Sequence, residues 1–188
     1  SNKTNKTYNI EFVSANPTGP MHVGHCRGAI YGDVLSNLLK FNGNKVTKEY
    51  YINDYGNQIK NFVESVFFRI QEIKYKNKFP DNDNLYPGLY IKDIAEKIIK
   101  EDQNIDFKDF DKNFEFLKEK SLDASMNLIK NDLKQLGITH DIFFSETDIV
   151  KKDLVKKAVQ KLKEKKYVEE GYLQPPKGEI NNNWKKTK

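Results

Sequence analysis

The chain has 188 residues, of which 37% are hydrophobic and 31% are charged, and this composition is typical of a globular protein with a modest core. It contains no apolar run close to the roughly 18 to 20 residues that span a bilayer, and its polar first residues predict no signal peptide. The single cysteine, Cys26, excludes an internal disulfide and fits a cytoplasmic location. The net charge of +5 is compatible with a nucleic-acid partner, although lysine-rich solvated faces are the more common origin of such a charge.

The first third of the chain predicts a strand, a helix and a second strand. Tyr8–Val13 alternates and is rich in β-forming residues, and residues 14–20 form a turn-rich stretch with two prolines and a glycine. The pattern from His22 to Phe41 is helical, and Asn42-Gly43 predicts its end. The apolar residues that follow a period near 3.6 in this helix are Ile30, Val34, Leu35, Leu38 and Phe41. With a second strand at Val46–Ile52, the unit implies a parallel sheet with a right-handed crossover.

The middle and the end of the chain predict mainly helices. Helices are predicted at Ile59–Ile73, Ile91–Glu101 and Phe114–Leu136, with a polar loop at residues 74–88 and a helix stop at Gly137. His140–Ser145 has strand character. A basic amphipathic helix at Asp153–Lys166, a short hairpin at Tyr167–Leu173 and a polar stretch at 176–188 complete the list. The predicted fold class is α/β, with a partial Rossmann-like parallel sheet and a mainly helical insertion.

The segment between the first strand and the first helix carries the most informative chemistry. His22 and His25 lie three residues apart at the start of the helix, where they share a face. A helix N-terminus offers free N–H groups and a partial positive charge, which suit a phosphate. Gly24 lies between the histidines and, without a Cβ, allows a flat base or sugar to approach the backbone. Two imidazoles that donate hydrogen bonds could stabilise the charge of nucleotidyl transfer without acting as bases.

The residues around this pair resemble a known family. The segment from Glu11 to Gly28, EFVSANPTGPMHVGHCRG, resembles the bacterial form of the arginyl-tRNA synthetases, and HVGH within it is similar to the HIGH motif of class I aminoacyl-tRNA synthetases. Residues 49–59 (EYYINDYGNQI), 86–88 (YPG) and 140–146 (HDIFFSE) also fit that family. The resemblance spans about residues 8 to 173 and is densest near the start of the chain.

This resemblance implies an arginine–tRNA ligase, which activates arginine with ATP to arginyl-adenylate and transfers it to tRNA(Arg). His22 and His25 would bind the ATP phosphates and the transition state, and Gly24 would let adenosine approach. Mg2+ is expected to accompany ATP, and no tightly bound metal is expected. The implied partners are ATP, arginine and tRNA(Arg), with no membrane, and the protein is expected to be a monomer.

The resemblance also implies an arginine site at the ends of the strands. Glu11 would help to bind the substrate guanidinium, because this planar fork can meet two carboxylate oxygens in a charge-assisted pair. Asn16, with Ser14 beside it, would hydrogen-bond the amino-acid end of the substrate. Asp54 and Gln58 follow the second strand and are expected near the same edge of the sheet.

The family resemblance sets the expected domain organisation. Residues 1–59 would form the first half of a class I Rossmann-type catalytic domain, residues 60–137 a mainly helical insertion, and residues 138–188 a truncated return to the catalytic domain with a helix and a hairpin. The second class I signature, of the KMSKS type, supplies a lysine to pyrophosphate, and neither Met21 nor Met126 lies in such a segment. We therefore expect a fragment that does not form adenylate by itself, especially since arginyl enzymes need bound tRNA for activation.

Other interpretations of the same residues stay open at this stage. The chain could belong to another class I synthetase or nucleotidyltransferase, or it could be a non-catalytic RNA-binding fragment. His22 and His25 could form half of a zinc site beside Cys26, although zinc needs further ligands. The basic run from Lys151 to Lys166 predicts a solvated helix face, and its alternative role is contact with tRNA phosphates.

Overall fold

A computed structural model of the chain describes residues 5–169 and 171. The described residues divide into two compact units, with the division between Thr147 and Asp148. The elements in chain order are β1 (Thr7–Glu11), α1 (Val23–Phe41), β2 (Lys45–Ile52), α2 (Asn57–Tyr75), α3 (Leu89–Glu101), α4 (Phe110–Gln135), β3 (Ile142–Ser145), α5 (Glu146–Lys151) and α6 (Leu154–Glu164). The α/β fold class is confirmed. The six-residue helix α5 was not predicted, and the predicted hairpin at Tyr167–Leu173 extends outside the described residues.

The three strands of the described residues form one parallel sheet in the order β1-β2-β3. Glu11 lies opposite Glu49, and Ile52 lies opposite Ser145, so the carboxyl ends of the strands lie along one edge of the sheet. Helix α1 connects β1 to β2, and the three helices α2–α4 connect β2 to β3. In open α/β sheets, ligands bind at the loops that follow the carboxyl ends of the parallel strands. The loop between β1 and α1, which leads to His22 and His25, lies at this edge.

Helix α1 packs on the sheet through small residues, and the predicted apolar face is not the buried one. Its buried residues are Ala29, Gly32 and Ser36. Ile30 and Phe41, from the apolar stripe found in the sequence, are 49% and 87% exposed. The physical reason is the close approach of the helix, since a Cβ on Gly32 would lie 2.3 Å from Cγ of Phe12.

A buried ion pair also fixes α1 to the sheet. Lys48 on β2 is only 7% exposed, and its Nζ lies 2.6 Å from Oδ1 of Asp33 and 3.2 Å from Oδ1 of Asn37. Asn37 in turn donates to Oδ2 of Asp33. A buried ammonium needs such partners, because without the Asp33 carboxylate it would be an uncompensated charge in a poorly solvated site.

Helix α4 belongs to both hydrophobic cores of the first unit. Its N-terminal half contributes Leu117 to a core formed with α2 and α3, which contains Phe62, Ile91 and Phe107. Its C-terminal half contributes Met126, Ile129 and Leu133 to the core on the sheet, which contains Phe12, Ala29, Tyr50 and Ile138. The helices between β2 and β3 are therefore fixed to the sheet by one continuous helix rather than by a flexible connection.

Helix α6, in the second unit, is amphipathic, as the sequence predicted. Leu154, Val155, Val159 and Leu162 on its apolar side are each 40% to 54% exposed. Within residues 5–169 and 171, no helix combines the length and the apolar character needed to cross a membrane.

Two glycines of α1 test the close approach of this helix to the sheet. We expect Gly32→Ala to lower the free energy of unfolding by about 1 to 3 kcal/mol, because the new methyl group overlaps the Phe12 ring. Gly28→Ala should instead raise it by about 0.5 to 1 kcal/mol, because no atom lies within 4 Å of that position and alanine favours the helix. Urea unfolding of both variants measures the difference, and effects of the same sign would contradict the close packing of α1 on Phe12.

Candidate functional site

The two signature histidines cap helix α1. His22 is the N-cap residue, and its Nδ1 accepts a hydrogen bond from the Gly24 N–H at 3.1 Å. His25 occupies the third helical position, and its Nδ1 accepts from the His22 N–H at 3.3 Å. The rings stack with their centroids 3.7 Å apart. This is a capping box in which both side chains are imidazoles. The two histidines share a face of the helix, as predicted, and each imidazole also accepts a hydrogen bond from a backbone N–H at the helix start.

The capping bonds determine which ring nitrogens can act on a ligand. A neutral imidazole that accepts a hydrogen bond at Nδ1 carries its proton on Nε2. His22 is exposed and His25 is half-buried, so each ring retains an Nε2–H donor beyond the cap. Together with the free N–H groups of the first helical turn, these donors form a site suited to phosphate oxygens.

Both burial and the neighbouring ring affect the charge of His25. Desolvation lowers the pKa of His25 below its ordinary value of 6.5, and the nearby His22 imidazole lowers it further. The neutral form required by the cap is therefore favoured near neutral pH. Gly24 serves the same cap, because a Cβ there would lie 3.0 Å from Cε1 of His22.

A second group of side chains lies where β1 ends. The Ser14 hydroxyl donates to Oε1 of Glu11 and accepts the Tyr51 N–H at 3.0 Å. Glu11 and Ser14, two of the predicted substrate-binding residues, are thus in direct contact. Since Tyr51 lies on β2, the serine also connects the ends of the two neighbouring strands.

A third group brings Asn16 and Gln58 together, with a residue that the sequence did not single out. Asn16 Nδ2 donates to Oε1 of Gln58 at 2.7 Å, and Asn53 Nδ2 donates to Oδ1 of Asn16 at 3.1 Å. Asn53 follows β2 directly, so its place at the carboxyl end of a strand was the available signal. This amide cluster connects the signature loop to the start of α2.

Asp54, in contrast, bonds to the end of β3. Its Oδ2 accepts from the Ser145 hydroxyl at 2.6 Å, and its Oδ1 accepts from the Thr147 N–H at 2.8 Å. The carboxylate therefore holds the residue after Asn53 to the end of β3 through one oxygen and to the start of α5 through the other. A role in substrate binding for Asp54 stays a prediction.

The remaining histidine belongs to the core on the sheet. His140 packs against Phe12 with ring centroids 4.2 Å apart, and burial lowers its pKa below the ordinary value. Among the described residues, no three or more His, Cys, Asp or Glu side chains are grouped as a metal site would need.

Known proteins resemble this chain over nearly its whole length. Residues 1–172 match the family model described as tRNA synthetases class I (R), catalytic domain. An arginine–tRNA ligase of Pelagibacter ubique (strain HTCC1062) is 58% identical over 98% of this chain and 32% of its own length. One of Ehrlichia ruminantium (strain Welgevonden) is 50% identical over 96% of this chain and 31% of its own length. The chain thus spans about a third of the length of these relatives.

A solved structure is similar as well. A crystal structure from Campylobacter jejuni, described as an arginyl-tRNA synthetase, superposes with a TM-score of 0.78 at 34% identity. The superposition covers 90% of this chain and 36% of the other. The similarity therefore extends to the arrangement of the elements that carry the histidine pair.

The imidazole cap predicts a pH dependence of stability. Because the folded state lowers the pKa of His25 below 6.5, the unfolded state binds the proton more readily, and the free energy of unfolding should fall as the pH drops below that value. NMR titration of the imidazole signals should show His25 as the neutral Nε2–H tautomer above pH 6.5. In His22→Asn the pKa of His25 should rise, because the neighbouring imidazole charge is removed and asparagine can still cap the helix. An unchanged pKa in this variant would contradict the coupling.

Proposed function

Because this chain belongs to the family of class I tRNA synthetase (R) catalytic domains, we propose that it carries the ATP-phosphate side of an arginine–tRNA ligase active site. The reaction joins the arginine carboxylate to the α-phosphate of ATP, with release of pyrophosphate, and then transfers the arginyl group to tRNA(Arg). The observation that carries this proposal is the imidazole capping box of His22 and His25.

The capping box suits this reaction because it supplies donors rather than bases. Negative charge accumulates on phosphate oxygens as the carboxylate attacks and pyrophosphate leaves. His22 and His25 would donate Nε2–H bonds to those oxygens, and their orientation is fixed in advance by the bonds to Nδ1. Mg2+ would arrive with ATP, since this cation is commonly bound through substrate phosphates.

The Glu11 carboxylate is the proposed partner of the arginine guanidinium. It lies at the carboxyl end of β1, and its contact with the Ser14 hydroxyl orients it. A guanidinium would find a carboxylate here that can accept two parallel N–H bonds. Asn16, held by Gln58 and Asn53, would bind the amino-acid end of arginine. In the second step, tRNA(Arg) would accept the arginyl group.

Nucleotide binding to the 188-residue chain tests the phosphate side of the site. We expect ATP with Mg2+ to shift the Nε2–H signals of His22 and His25, and His22→Asn to weaken the affinity about tenfold, because one charge-assisted hydrogen bond is lost. Asparagine retains the N-cap, so the helix should stay intact. Calorimetric titration measures the affinity.

His140→Phe is the control for this experiment, since it removes the imidazole in the core and keeps an aromatic ring against Phe12. Equal losses of affinity in both variants would show that the effect is structural and would overturn the role of the capping box. The chain alone is expected not to catalyse arginine- and tRNA-dependent pyrophosphate exchange, and such exchange would contradict that expectation.

Glu11→Gln tests the arginine side. Free arginine should raise the melting temperature of the unsubstituted chain, and we expect Glu11→Gln to abolish this rise. The amide removes one carboxylate acceptor and the negative charge. Thermal denaturation with and without arginine measures the effect. Glu49→Gln is the matched control, since Glu49 lies opposite Glu11 on β2 and accepts from Asn9 at 2.8 Å. Free lysine, added as a ligand in place of free arginine, should not stabilise the unsubstituted chain. Equal stabilisation by arginine in the chain and in Glu11→Gln would refute the assignment.

A further inference from the structure

The loop that leads into the histidine pair is held at three points by three different elements. The Ala15 carbonyl accepts from the buried Tyr50 hydroxyl on β2 at 2.8 Å. The Thr18 carbonyl accepts from the Tyr90 hydroxyl on α3 at 2.9 Å. The Met21 N–H donates to Oδ2 of Asp132 on α4 at 3.1 Å. The sheet thus holds the start of the loop, while α3 and α4 hold the part next to His22.

Tyr90 fits the loop through its ring as well as its hydroxyl. The ring lies between two glycines, since a Cβ on Gly19 would be 3.1 Å from Cζ of Tyr90 and a Cβ on Gly88 would be 2.4 Å from Cε1. Burial raises the pKa of the phenol, so the hydroxyl keeps its proton and remains a donor to Thr18. Two side-chain-free positions on different segments therefore accommodate one tyrosine.

Asp132 is anchored by its neighbours on α4. Ile129 and Leu133 are buried in the core on the sheet, so the last turns of the helix are fixed in that core. The carboxylate accepts from the backbone of the residue just before the N-cap of α1, where negative charge is also favoured by the helix dipole. A hydrogen bond to a charged acceptor is stronger than a neutral one.

We propose that Tyr90 and Asp132 are positioning residues for the histidine pair, and that helices α3 and α4 set the location of His22 and His25 through the loop at 18–21. Neither residue needs to touch a substrate for this role. The expected effect on ATP binding rests on the proposed function, whereas the effect of these helices on the position of the imidazole cap does not.

Five single variants separate positioning from stability. Tyr90→Phe removes only the hydroxyl and keeps the ring between the glycines, and Tyr75→Phe is its control because the Tyr75 hydroxyl donates to Asp106 at 2.9 Å, away from the loop. Asp132→Ala removes the acceptor for Met21, and Asp123→Ala is its control because Asp123 is exposed on the same helix. Asp132→Asn, which retains an acceptor oxygen, should restore most of the lost function.

The readouts are the imidazole 15N signals of His22 and His25, the affinity for ATP with Mg2+, and the melting temperature. Tyr90→Phe and Asp132→Ala should shift the imidazole signals in the free chain and weaken ATP binding by about fivefold each. The two controls should leave both readouts unchanged, whatever they do to the melting temperature.

Imidazole signals that stay unchanged in Tyr90→Phe and Asp132→Ala, with only a lower melting temperature, would overturn the proposal. Failure of Asp132→Asn to recover the signals would also count against the hydrogen bond to Met21. If the unsubstituted chain binds no ATP, the proposed function loses support, but the imidazole signals of the free chain still decide the positioning role. The two failures are therefore distinguishable.

Discussion

The reciprocal hydrogen bonds between the two imidazoles and the start of helix α1 are the interaction on which the candidate site depends. An N-cap typically contributes about 1 kcal/mol to stability, and here the capping side chains are also the proposed phosphate ligands. One geometry thus stabilises the helix, places the proton of each ring on Nε2 and favours the neutral form of His25. Two stacked rings with centroids 3.7 Å apart would repel each other if both were charged. The ring stacking and the capping bond at Nδ1 of His25 therefore favour the same neutral form of that imidazole.

Much of the fold follows from the sequence, because the strands and long helices carry strong periodic patterns. The order of β1, α1 and β2 was predictable, and so was the position of His22 and His25 at a helix N-terminus. The buried face of α1 was not, because the apolar period identifies the largest apolar side chains, whereas this helix packs closely on Phe12 through Gly32. Close packing selects small residues, which a hydrophobic pattern does not emphasise.

The contacts that organise the site were predictable only in part. Glu11 and Ser14, and Asn16 and Gln58, were expected near one sheet edge, and the structure brings each pair into contact. The bond from Met21 to Asp132 spans 111 positions in the chain. Such a contact depends on the path of α4 through both cores, which no local pattern encodes, so a side chain that bonds a distant backbone N–H leaves no periodic signal.

Strain at the end of β1 shows how closely the site is specified. Val13 has φ of 69° and Ser14 has φ of 41°, and the Ser14 N–H donates to the Phe12 carbonyl at 3.0 Å in a three-residue turn. A β-branched residue in this left-handed region costs about 1 to 3 kcal/mol. Packing of Val13 against the core on the sheet, together with the two hydrogen bonds of the Ser14 hydroxyl, offsets that cost. A relaxed strand would continue past Glu11 and carry Ser14 away from it, so the strained turn is the backbone condition for placing the carboxylate and the hydroxyl side by side.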